Sequence, residues 1–142
     1  MNHLEAKAIQ DAPDVALGMF PVESHLAKVL FNTGATHSFV STSWVQAHNI
    51  LVEPIIPPLR VNSVRGKVQS DKMCLNLRIE IRGIDFPTNL VVMGTQGLDV
   101  IPGMNWLHRN QATVSCDKRT VKLVSPSGKE VETELFMPDL EE

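Results

Sequence analysis

The stretch Leu75-Asn76-Leu77-Arg78-Ile79-Glu80-Ile81-Arg82 alternates apolar and polar residues without a break. Successive side chains on a strand point to opposite faces, so a period of two fits a strand with one buried face and fits no helix. Gly83-Ile84-Asp85 reads as a turn, and Phe86 to Met93 as the returning strand, with Pro87 near its start. Similar alternation recurs at Val114/Cys116, Val121/Leu123 and Val131/Thr133/Leu135, separated by the turns Asp117-Lys118-Arg119 and Ser125-Pro126-Ser127-Gly128. Val15/Leu17/Met19 and Leu26 to Phe31 read as a hairpin joined by Pro21-Val22-Glu23-Ser24. Many short strands at this spacing imply an all-β barrel or sandwich.

Two segments leave that pattern. Ser43-Trp44-Val45-Gln46 resembles a capping box opening a short helix to about His48, with Asn49 to end it. Gly103 to Asn110 reads as a second short helix, with Asn105 near its start and His108 and Arg109 near its carboxyl end. Trp44 and Trp106 sit in these helices as expected core anchors. Pro54, Pro57 and Pro58 predict an irregular connector after the first helix. The expected organisation is an N-terminal arm at 1–13, one folded domain at 14–136 and an acidic tail at 137–142.

Composition narrows the function classes. The net charge is −3 with no basic surplus, which argues against nucleic acid as a partner. No polybasic run and no apolar run of ~18 residues argues for a membrane. The N-terminus has no apolar signal region, so a cytoplasmic protein is expected. Cys74 and Cys116 form no CxxC and read as reduced, packed thiols, and the five scattered histidines offer no metal-ligand spacing. Neither a metal nor an organic cofactor is expected.

The chemistry-bearing segment is Val29-Leu30-Phe31-Asn32-Thr33-Gly34-Ala35-Thr36-His37-Ser38-Phe39. An apolar strand runs into a Thr-Gly-Ala turn and then into an expected Ser-rich helix start. Gly34 lets the backbone approach a ligand, and the Thr33 hydroxyl can tie the turn to a neighbour. About seventy residues later, Asp99-Val100-Ile101-Pro102-Gly103-Met104 has the same layout of strand, glycine and helix. The protein thus reads as two copies of one unit, with the functional polar residue only in the first.

Leu30 to Ala35 resembles the hydrophobic-hydrophobic-Asp-Thr/Ser-Gly-Ala signature of retropepsin-like aspartic proteases. Thr36-His37-Ser38-Phe39-Val40, Asp99 to Leu107, and Ala112-Thr113-Val114-Ser115-Cys116 followed by Thr120 to Leu123 resemble the plant Gypsy-type LTR retrotransposon branch. The resemblance implies a closed retropepsin-like β-barrel with one or two short helices and half an active site per protomer. It implies a homodimeric endopeptidase that cleaves a retrotransposon polyprotein. Asn32 occupies the place of the catalytic Asp, beside Thr33 and Gly34. Gly34, Ala35 and Thr36 are expected to bind substrate, under a flap at 59–68 whose tip is Ser63, Val64, Arg65 and Gly66. His37 lies close enough to the turn to touch substrate, although such a histidine also bonds readily to a nearby group.

Three positions depart from the pattern: Asn32 for Asp, Pro102 for the usual Leu, and Asn105 for a frequent Asp. Pro102 puts local strand pairing in doubt, because it has no N–H. Asn32 decides function, since an amide cannot take a proton at physiological pH. The expected state is a folded, dimeric, peptide-binding and inactive form. The alternative is a domesticated, non-catalytic dimerisation or peptide-binding module.

Overall fold

The computed structural model describes residues 16–63 and 66–136. The arm at 1–13, the tail at 137–142 and the tip residues Val64 and Arg65 lie outside the described residues. Among these described residues ten strands and two short helices follow in order: β1 Leu17–Val22, β2 His25–Leu30, β3 Phe39–Ser41, α1 Thr42–Ala47, β4 Glu53–Ser63, β5 Gly66–Ile81, β6 Ile84–Met93, β7 Val100–Ile101, α2 Met104–Arg109, β8 Thr113–Ser115, β9 Thr120–Val124 and β10 Glu130–Glu134. The main sheet has the order β1-β2-β7-β3-β6-β5-β4. Val22 also pairs with Ile79, which brings β1 back to β5 and closes the sheet into a barrel with β4 outside the ring. A second sheet, β10-β9-β8, shares the main core through Val114, Val121, Leu123 and Val131. No helix among the described residues is long and apolar enough to cross a membrane.

The β1–β2 hairpin turns at Glu23-Ser24 alone, both with positive φ, so Pro21 and Val22 belong to the strand. Its inward face is Ala16, Phe20 and Val22, while Leu17 is half-buried and Met19 is exposed. A Cβ added at Gly18 would lie 2.3 Å from the Phe20 ring. Phe20 therefore fills the space that Gly18 leaves. Arg78 locks the turn to β5: its backbone N–H and Nε both donate to Glu23 Oε2, at 2.8 and 3.0 Å. The same guanidinium holds the Glu23 carboxyl below the usual carboxylate range.

β5 contains residues 75–81 of the alternating stretch; the turn falls at Arg82-Gly83, so Ile84 and Asp85 already belong to β6, and the alternation of burial along β5 breaks once. Leu77, Ile79 and Ile81 are buried, but Leu75 is 47% exposed. A bulge lies between Cys74 and Leu77, and Asn76 takes a left-handed φ of 55°. The extra residue turns the strand over, so Cys74 points inward where Leu75 would have. Burial pushes the Cys74 thiol up to about 11. Cys116 is exposed in a turn, so only Cys74 is the packed thiol expected of both.

α1 starts two residues earlier than expected. Ser41 is its N-cap and accepts from the Trp44 N–H at 3.3 Å, because Phe39–Ser41 is a strand that delivers Ser41 to that place. Asn49 ends the helix with a left-handed φ of 53°. Pro54, Pro57 and Pro58 lie inside β4, where pairing with β5 is interrupted between Pro54 and Leu59. The prolines interrupt the ladder and leave a strand on either side. Both tryptophans are buried as core anchors, Trp44 at 5% and Trp106 at 2% exposure.

Candidate active site

β2 and β7 run parallel, paired at Val29 and Val100, and the loop leaving each crosses the other. Asp99 fixes the start of β7: its carboxylate accepts the Lys28 N–H at 2.8 Å, and its carbonyl accepts the Ser41 N–H at 2.8 Å. Asp99 is thus tied into the sheet and is not placed for chemistry.

The first loop, 31–38, holds Asn32 at 6% exposure, with Thr33 half-buried and Gly34 exposed. The Asn32 N–H donates to the Pro102 carbonyl at 3.0 Å, and Asn32 Oδ1 accepts the Gly34 N–H at 2.7 Å. That second bond is an Asx turn, in which a side-chain oxygen closes the loop as a backbone carbonyl would. The Thr33 Oγ1 is buried and has no hydrogen-bond partner among the described residues. The backbone does not pass straight from this turn into a helix: β3 intervenes before α1, so the two units are not exact repeats.

The second loop contributes backbone only. Pro102 follows β7 directly, so its missing N–H costs no ladder bond, and its carbonyl serves Asn32. A Cβ at Gly103 would lie 2.1 Å from the His37 carbonyl oxygen and 2.7 Å from that of Ala35, so only glycine fits. The Met104 and Asn105 N–H groups at the start of α2 donate to the Ala35 and Thr36 carbonyls at 2.7 and 3.3 Å. The active turn thus satisfies helix N–H groups that a capping side chain would otherwise serve.

Ser38 joins the two loops. Its buried Oγ accepts the Gly103 N–H at 2.9 Å and donates to Asn105 Oδ1 at 2.8 Å. Asn105 Oδ1 also accepts the Trp106 N–H at 2.8 Å. Sequence reasoning does not find this clip; a lone small polar residue ahead of Phe39-Val40 is its only signal.

The hairpin of β4 and β5 folds over the first loop. Val61 pairs with Val68, and Val61 packs with Ala35, Phe39, Val91 and Ile101. Ser63 pairs with Gly66 at the end of the ladder, and Gly66 takes a φ of 102° that suits a hairpin tip. Among the expected site residues, Asn32, Thr33, Gly34, Ala35 and Thr36 are thus together in one loop, under the hairpin that carries Ser63 and Gly66. His37 is half-buried and its Nδ1 lies 2.9 Å from Thr36 Oγ1, so the neighbouring hydroxyl already engages it. No group of three or more His, Cys, Asp or Glu among the described residues could hold a metal.

Comparison with known proteins agrees with this geometry. The family described as retroviral aspartyl protease matches residues 1–129. No curated protein matches by sequence. Among solved structures, the retroviral protease-like domain of Ddi1 from Leishmania major superposes with a TM-score of 0.65 at 15% identity, covering 88% of this protein and 95% of that one. EIAV protease, complexed with the inhibitor HBY-793, superposes with a TM-score of 0.54 at 17% identity, covering 68% of this protein and 88% of that one. At such identities these two likenesses establish a shared fold.

Proposed function

The protein belongs to the retroviral aspartyl protease family, and from that premise we propose that it is the half-site of a homodimeric endopeptidase, of plant Gypsy-type retrotransposon origin, acting on a polyprotein. An aspartic protease needs two carboxyl groups that share one proton. One takes a proton from the attacking water, and the other polarises the scissile carbonyl. Each protomer offers one turn of the required kind, so two copies must meet across a two-fold axis. The orphaned Thr33 Oγ1 carries this reading. Buried polar groups without a partner are uncommon, and of the four such groups among the described residues (with Trp44 Nε1, Trp106 Nε1 and Asn110 Oδ1) only this one lies in the turn beside the exposed Gly34, where the proposed second copy could supply a partner.

Asn32, Thr33 and Gly34 are assigned to the reaction centre, and Gly34, Ala35 and Thr36 to the substrate backbone. The tip Ser63, Val64, Arg65 and Gly66 is assigned to covering it, as a lid that Gly66 lets bend. Asn32 carries no carboxylate, so this form binds peptide without cleaving it. A substitution introduced to stop self-cleavage and a loss in a decayed copy would both leave this pattern. The intact Thr33-Gly34-Ala35 favours the first. No disulfide joins Cys74 to Cys116, which suits the reducing cytoplasm we assign to it.

A second reading, a domesticated dimerisation or peptide-binding module, draws on Asn32 itself. It also draws on the Leishmania major neighbour, where a retroviral protease-like domain belongs to Ddi1. Cleavage assays on Asn32→Asp beside the parent protein separate the two. Pepstatin-sensitive cleavage by Asn32→Asp alone supports the protease, and no cleavage by either form supports the module.

A further inference from the structure

We propose that the protein selects acidic polypeptides, and that Arg60 and Lys67 on the outer face of the β4–β5 hairpin recruit carboxylates flanking the peptide held under it. The charges of the chain are unevenly placed. From Ser24 to Ser70 the one carboxylate is Glu53, and from Phe86 to Cys116 the one carboxylate is Asp99. These two stretches hold five of the thirteen Lys and Arg residues, which leaves eight cations against fourteen carboxylates elsewhere. A protein of net charge −3 is thus divided into a part of +3 and a part of −6.

The positive part is the end that carries Asn32. It supplies the turn, the hairpin above it and the small cluster that joins them, Ala35, Phe39, Val61, Val91 and Ile101. Its two carboxylates are out of play. Asp99 is spent on the Lys28 N–H, and Glu53 lies across the break in the β4–β5 ladder from Arg60, lining a recess with Glu23 and Arg78.

Across the hairpin Arg60 pairs with Gln69 and Val61 with Val68. Neighbouring residues on a strand face opposite ways, so with Val61 and Val68 packed in the cluster, Arg60, Lys67 and Gln69 stand exposed on the outer face. The Arg60 Nε donates to Gln69 Oε1 at 3.2 Å, which steers the guanidinium across the hairpin. Neither cation has an ion pair among the described residues; Arg78 and Glu23, which do pair, lie at the other end of β5. β4 is the edge of its sheet, and the two strands are ~5 Å apart, so a peptide beneath them emerges within reach of these long side chains. Their field extends over ~8 Å at physiological ionic strength. A nucleic acid is the poorer match: Phe31, Phe39, Trp44, Phe86 and Trp106, the aromatic residues of this end, are all buried and offer no ring to a base. Calling the peptide a substrate rests on the proposed function, but the charge preference does not.

The test measures binding of three labelled peptides to the full-length protein by fluorescence anisotropy, at low and at high salt. The peptides share one apolar core and carry Glu, Gln or Lys on both sides of it. At low salt the Glu peptide should bind tighter than the Gln peptide by on the order of tenfold, with the Lys peptide weakest, and added salt should narrow the spread. Arg60→Glu combined with Lys67→Glu should reverse the order, which a merely damaged fold cannot do. If that variant does not fold, Arg60→Gln alone decides, and should narrow the gap between the Glu and Gln peptides about threefold. Equal affinities, no binding of any peptide, or an order untouched by these substitutions overturns the proposal. An oligoribonucleotide that competes better than unlabelled Glu peptide overturns it too. Asn32→Asp is assayed in parallel for pepstatin-sensitive cleavage of the same peptides. A Glu preference without cleavage leaves the proposal standing and overturns the protease reading, whereas equal binding and cleavage of all three does the reverse.

Discussion

β2 and β7 lie side by side and each delivers a loop that crosses the other, yet the two loops divide the work unequally. The first supplies side chains: an Asn32 amide, an unpartnered Thr33 hydroxyl and an exposed Gly34. The second supplies backbone: the Pro102 carbonyl, the Gly103 N–H and the N-terminal N–H groups of α2. One loop is free to meet a ligand because the other absorbs its carbonyls. This division fits the proposed half-site in a protein with two similar units: the second unit is a cradle for the first, and on that proposal the other half comes from another copy.

The difference can be broken at several points, and the largest effect belongs to position 32. On the proposed function, Asn32→Asp should show pepstatin-sensitive cleavage that the parent lacks, with a bell-shaped rate profile on the acid side of neutrality. Burial and like-charge proximity raise one pKa of the restored pair. A group with a raised folded pKa binds more protons when folded, so the restored dimer should lose stability as pH rises through that value. Thermal midpoints against pH for both forms, at one protein concentration, check this. Parallel curves would place position 32 outside any coupled pair.

Gly103→Ala attacks the cradle. The new methyl group meets backbone oxygens that cannot swing aside, and the expected loss is ~3 kcal/mol, or a midpoint lower by on the order of 10 °C. Urea unfolding that leaves the midpoint within error of the parent would show that the loops do not cross at Gly103. Ser38→Ala should cost about 2 kcal/mol, because it strands the buried Gly103 N–H and leaves Asn105 Oδ1 with the Trp106 N–H as its one remaining donor among the described residues. Combining it with Asn105→Ala in a double-mutant cycle should show clear non-additivity. The smallest effect is expected of Asn105→Asp. It keeps both acceptor bonds and adds a negative charge in the first turn of α2, for a gain of about 0.5 kcal/mol at low salt. The gain should shrink as salt is added.

Much of this architecture is legible in the sequence, for identifiable reasons. The Leu77/Ile79/Ile81 face, the β5–β6 and β8–β9–β10 hairpins and both tryptophan anchors follow from period and turn residues. Asn32 to Ala35 stand out because a short polar turn after an apolar strand is a strong local signal. The phase of β1 is not legible, since its inward face is Ala16, Gly18 and Phe20, and the large apolar Leu17 and Met19 suggest the reverse. A glycine whose space is filled by a ring two residues on leaves no mark in a hydrophobicity pattern. The bulge at Asn76 is equally silent, and so are the strands that hold Ser41 and the prolines of β4. The clip from Ser38 to Gly103 and Asn105 spans more than sixty residues, and no local pattern encodes a contact at that separation.

The bulge in β5 has a consequence for how the molecule breathes. On one side of it, β5 contributes Cys74, Leu77, Ile79 and Ile81 to the main core. On the other, Val68 joins Leu59, Val61 and Ala35 in a separate, smaller cluster. One strand therefore belongs to two packing units joined at a single irregular pair. The amides of the β4–β5 hairpin should exchange with deuterium through a local opening that costs far less than global unfolding. Those from Leu77 to Ile81 should exchange only when the whole barrel opens. The step between the two rates should fall at Asn76, so that the hairpin above the turn can lift while the barrel below it keeps its shape.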